Sequence, residues 1–140
     1  MTDTPISLAS LMLPSKTVEM DYPGYPDLSV SLCFLSREEN IKLRKSCLTN
    51  KYNKKSHVLE EELDEEKFLR QYASAVVKGW KGLKYKYLEE FLLVDVSNLD
   101  PDDELPYTTA NAEMLMKNAQ NFDSWVVEAA SELENFTDNK

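Results

Sequence analysis

A chain of 140 residues with a formal net charge of −9 suits one domain, able to bury about two-thirds of the surface its unfolded form exposes. With 42% hydrophobic and 10% aromatic residues it can build a real core, yet it holds no run of roughly 18 apolar residues that would span a membrane. Three glycines exclude a phosphate-cradling loop, while two cysteines without CxxC spacing and one histidine are too few for a zinc centre.

The charge is unevenly spread. Residues 1–36 carry one base and four acids (−3), 37–86 thirteen bases and eight acids (+5), and 89–140 two bases and thirteen acids (−11). A solvated surface of uneven charge is the plain reading, and head-to-tail attraction between copies is the sharper one.

In chain order, residues 1–15 read as an arm with a small apolar patch between Pro5 and Pro14. No basic residue precedes that patch, so no secretory signal is expected and the default location is the cytoplasm. Val18, Met20 and Tyr22 then alternate with polar residues, as do Leu28, Val30, Leu32 and Phe34 after a loop rich in Pro and Gly. Such alternation predicts a β-hairpin over 16–35 with one apolar face that something must cover.

Ser36-Arg37-Glu38-Glu39 is a capping box that opens a helix over 36–48. Residues 49–62 read as an exposed loop or linker, in which His57 has no acid or nucleophile beside it and no catalytic role is expected. Phe68, Leu69, Tyr72, Val76, Val77 and Trp80 recur at helical spacing, which predicts a helix over 64–80 with Asp64 as N-cap and Gly79 and Gly82 at its end. Its face is either internal core or a surface for another chain.

Tyr87, Leu88, Phe91 and Leu92 fit a short helix over 86–93, although the run FLLVDV also suits a strand. Residues 97–104 form an acidic loop without the full calcium-binding pattern. Two further helices follow, over 109–120, capped by Thr108 or Thr109, and over 122–136, capped by Asn121 or Asp123, before a tail at 137–140. The fold expected is α+β and mainly α-helical, an N-terminal β-hairpin packed on a bundle of four to five helices, with residues 16–137 as a single domain.

No GxSxG or HExxH pattern is present, and every close carboxylate pair sits in a charge run. No enzyme, cofactor or metal is expected. Lys42, Arg44, Lys45, Lys51, Lys54 and Lys55 around Tyr52 are the one nucleic-acid-like feature, and the acidic C-terminal third opposes it, so no nucleic-acid or membrane partner is expected.

SREENIKLRKSC is followed by VVKGWKGL at 76–83, LPYTTANAEML at 105–115 and FDSWVVEAA at 122–130, with Phe136 near the end. This order of segments is similar to that of the tail assembly chaperones of long, non-contractile-tailed bacteriophages. The resemblance implies a non-enzymatic protein of the host cell cytoplasm. It would coat the tape measure protein during tail tube assembly and be absent from the finished particle. The tail tube protein would be a second partner, through a longer frameshifted form. Trp80, Phe122, Trp125, Val126 and Phe136 are the candidate residues around the partner groove. Homo-oligomers would join Lys42, Arg44, Lys45, Lys54 and Lys55 of one copy to Asp102, Asp103 and Glu104 of the next. The runner-up is a small virion part, a head–tail adaptor or tail terminator.

Overall fold

Side chains that alternate in bulk pair into a hairpin in the computed structural model, which describes residues 5–137. Strand β1 (Ser15–Asp21) runs antiparallel to β2 (Ser29–Leu35), with Val18 opposite Leu32 and Met20 opposite Val30, so the large residues share one face. The preceding arm holds a single helical turn, α1 (Leu8–Leu11), none of whose residues is buried. The expectations for residues 1–4 of the arm and 138–140 of the tail lie outside the described residues.

Helix α2 (Arg37–Ser46) starts where Ser36 Oγ accepts from the Glu39 amide at 3.2 Å. Only this half of the capping box forms. The Ser36 amide donates instead to Pro14 O at 2.9 Å, tying the start of α2 to the arm. Helix α3 (Glu65–Val76) begins likewise, with Asp64 Oδ1 accepting from the Lys67 amide at 3.0 Å.

Two segments depart from the sequence reading. Residues 49–62 are no loop: β3 (Leu48–Asn53) and β4 (Val58–Leu63) form an antiparallel ribbon closed by a turn with His57 at φ 58°. Residues 77–81 are no helix either. They form β5 (Val77–Lys81), which pairs antiparallel with β2 and makes a three-stranded sheet of order β1-β2-β5. Val77 is at once the C-cap of α3 and the first residue of β5, so helix passes into strand without a loop.

Helix α4 (Tyr85–Phe91) follows, then α5 (Thr109–Asn118), capped by Thr108 Oγ1, and α6 (Gln120–Ser131), which meets α5 at Ala119 with no side-chain cap. The last predicted helix therefore starts without Asn121 or Asp123 as cap. It ends at Ser131, and a 3-10 turn, Leu133–Phe136, completes the described chain. The expectation of a mainly helical bundle carrying one hairpin is thus corrected. The fold is mixed, 44% helix and 25% strand, with two antiparallel sheets. The bundle reading failed because strand pairing, not local period, decides what Val77–Lys81 becomes.

Helices α3 and α6 cover the apolar face of the three-stranded sheet, and α5 packs against both. Val30 and Leu32 from β2, Val77 from β5, Ala73 and Val76 from α3, Ala112 from α5, and Phe122 and Val126 from α6 are all essentially excluded from solvent. Each large side chain so buried contributes about 1.5–3 kcal/mol. The outer edge of β5 is sealed by residues 105–107: Trp80 Nε1 donates to Leu105 O at 2.8 Å, and Tyr107 Oη donates to Val77 O at 2.7 Å.

Candidate partner-binding cleft

The aromatic residues singled out from sequence are mostly core. Phe122, Val126 and Phe136 are buried, and Phe136 packs against Phe34 with ring centroids 5.2 Å apart. Trp80 is also buried and lies edge-on to Tyr107 at 5.0 Å. Trp125 alone is half-buried; it rests on Tyr22 at 4.7 Å and Phe122 at 6.4 Å. These five residues sit in or against one hydrophobic cluster.

Of the charged residues expected to join copies, the side chains of Lys42, Asp102 and Glu104 have partners within the chain. Asp102 holds Lys86 at 3.0 Å, and each moves the other's pKa, that of the acid down and that of the amine up. Glu104 Oε1 accepts from the Gly82 amide, and the Asp103 carbonyl accepts from the Tyr85 amide. Lys42 lies near Glu38 and Glu39 of its own helix. Arg44 and Lys45 are on α2, whereas Lys54 and Lys55 are in the turn of the β3–β4 ribbon. The basic set therefore spans two elements and does not form one face of a helix.

An open cleft runs between α2, α3 and α6. One compartment of about 420 Å³ lies at the end of β2 and is lined by Phe34, Leu35, Ile41, Tyr72, Val76 and Ala130. A second of about 600 Å³ is lined by Phe68, Leu69, Tyr72 and Val127. Asn40, Tyr72 and Ser131 border both, so the two are continuous. Arg37 and Arg44 stand at the first compartment, Glu65 and Asp123 at the second, giving the cleft a basic and an acidic end.

Helical spacing explains the cleft's walls. Phe68, Leu69 and Tyr72 share the apolar arc of α3 with Ala73 and Val76. Only Ala73 and Val76 are buried, while the other three are half-exposed. Opposite them, Ile41 of α2 and Val127 of α6 are each 44% exposed. Sequence reasoning placed Phe68, Leu69 and Tyr72 on one face but did not single them out. The signal was the width of that arc, broader than one contact surface can cover.

Tyr72 is the polar centre of the cleft. Burial, and secondarily the Asp123 carboxylate, push its phenol up to about 12, so it stays a neutral hydrogen-bond donor at physiological pH. Burial raises Asp123 as well. The thiol at the cleft, Cys33, is buried. Among the described residues no group of three or more His, Cys, Asp or Glu side chains is arranged to hold a metal ion, and no helix is long and apolar enough to cross a membrane. The arrangement can bind a partly apolar helix or extended segment by shape, with opposite charge available at either end.

Fold and cleft together define a mixed helix-and-strand domain with an open apolar surface between three helices. Residues 38–140 match the family model described as YdaY prophage protein, and the chain belongs to that family. It is therefore of phage origin. The match takes in all three helical walls of the cleft but begins within α2, leaving out β1 and β2. No curated protein and no solved structure matches the chain.

Proposed function

We propose that this prophage protein is a non-enzymatic tail assembly chaperone, whose cleft between α2, α3 and α6 receives an apolar helix face of the tape measure protein in the host cytoplasm. The observation that carries the reading is the cleft itself, an open surface of Ile41, Phe68, Leu69, Tyr72 and Val127. A long helical client with free apolar faces aggregates unless such faces are covered. A groove of this kind covers one segment while leaving an acidic exterior in water. The segment order that resembles tail assembly chaperones, together with the prophage family, supports the choice of client.

Many copies along one client make each contact modest and the whole tenacious, so tail tube subunits can displace the copies one at a time. The test is co-expression with the tape measure protein of the same prophage, followed by pull-down and a solubility assay. The client should become soluble and co-purify. Ile41→Asp with Val127→Asp should abolish co-purification without unfolding the chain, since both residues are exposed. A client that stays insoluble, with this chain found in mature particles, would replace the chaperone reading with that of a head–tail adaptor or tail terminator.

A further inference from the structure

The β3–β4 ribbon has open backbone along both sides. Among the described residues it forms a sheet of its own, and apart from Leu48, Asn53 and Leu63 every residue from 48 to 63 is exposed. At its base the Asp64 amide bonds to Cys47 O. Antiparallel alternation then turns the backbone amides and carbonyls of Leu59 and Glu61 in β4 away from β3. Such an edge can accept another strand. We infer that the strand it accepts is β4 of a second copy, the two ribbons pairing antiparallel about a two-fold axis into one four-stranded sheet.

Charge selects this edge. An antiparallel two-fold pair sets the tip of each ribbon beside the base of the other. The tip carries Lys54 and Lys55, and among the described residues neither is in an ion pair. Along the β4 edge they meet Glu60, Glu61 and Glu62, with Asp64 beyond. Along the β3 edge they would meet Lys51, with Arg44 and Lys45 beyond. Opposite charges across a strand pair stabilise it, and like charges oppose it. Joining β4 to β3 of the next copy would also match charge, but it points both ribbons the same way, about 10 Å apart. Two domains of this size, each with a radius of gyration of about 14 Å, would overlap.

Glutamates on an edge strand commonly keep copies apart, and here they would do so in any register that sets them against one another. The register that avoids this is centred on Leu59. The two Leu59 residues then face each other, Val58 faces the second copy's Glu60, and the turn at 54–57 lies beside its Glu61 and Glu62. Within each ribbon Tyr52 stands opposite Leu59, so these two residues and their counterparts form one apolar stripe across the four strands. Tyr52 is 53% and Leu59 68% exposed in the single chain, and the stripe brings those surfaces together.

None of these residues lines either compartment of the cleft, so the test stands apart from the proposed function and needs only the pure chain. Sedimentation at about 100 μM in low salt, where even micromolar contacts are populated, should give a dimer. Lys54→Glu with Lys55→Glu should weaken association about tenfold or more, because symmetry counts each exposed ion pair twice. Glu61→Lys with Glu62→Lys should do the same. Mixed, the two altered chains should pair with each other, since every acid then meets a base, although neither pairs with itself. Glu62 also holds Lys51 within the ribbon, so amide exchange in the unaltered chain supplies an independent reading. It should slow at Leu59 and Glu61 as concentration rises. A monomer at about 100 μM, exchange at these amides that ignores concentration, or a dimer that survives replacement of residues 49–62 by a short turn overturns the inference. A monomer that still solubilises the tape measure protein removes only ribbon pairing, and a dimer that fails to bind it removes only the proposed function.

Discussion

Gly82 stands at φ 77° with the Asp27 carbonyl where a Cβ would lie, so neither the backbone angle nor the space admits another residue. Gly82→Ala should cost more than about 3 kcal/mol, read from denaturant unfolding, whereas Gly79→Ala meets only Ser31 at 3.9 Å and should be far milder. Sequence marked both glycines as the end of a helix. One proves to be inside a strand, paired with Ser31, and the other to pass beneath the loop at Asp27, a distinction made by residues far away in the sequence. Tyr72 permits a pH test. Its folded pKa of about 12 lies above the ordinary 10.0, so the stability it contributes is complete below about pH 10 and is lost as pH rises through 12. Tyrosinate absorbance should show one phenol titrating near 12, and Tyr72→Phe should flatten the loss of stability over that window.

At the level of elements, helix starts and the first hairpin were legible because their signals are local. Ser36, Asp64 and Thr108 cap as their side chains suggest, and Val18, Met20, Val30 and Leu32 face inward as alternation requires. The β3–β4 ribbon was illegible because it has no buried face. Tyr52 and Leu59 are opposite one another and both exposed, so no hydrophobic period is written into the sequence. Its strands are held by Lys51 with Glu62 and by Asn53 with Glu60. At its base the Asp64 amide already donates to Cys47 O at 2.8 Å, and Lys67 Nζ to Ser46 O at 2.9 Å. Replacing residues 49–62 with a short turn should therefore shift the melting temperature by less than about 4 °C, roughly 1 kcal/mol.

For the molecule as a whole, the decisive contacts join the hairpin to everything after it. Val30 and Leu32 are fully buried against α3 and α6, and among the described residues β5 has no strand partner other than β2. A chain reduced to the family-matched residues 38–140 should then show no cooperative melting transition and no near-ultraviolet dichroism, although it retains every wall helix of the cleft. The cleft was only partly readable for the same reason. Periodicity places Phe68, Leu69, Tyr72, Ala73 and Val76 on one arc, but α5 and the sheet determine which of them stay open.

The direct passage from α3 into β5 gives the molecule a rigid linkage without slack. Tyr72 in the cleft wall and Val77 in the sheet are separated by barely more than one helical turn, with no intervening loop to absorb displacement. Whatever prises the cleft apart must therefore tug the outer strand against β2 and against the Tyr107 hydroxyl that clasps it. Amide exchange at residues 77–81 becomes a remote gauge of cleft occupancy: it should slow when the groove is filled, and accelerate when a wedge such as Val127→Trp holds the helices apart.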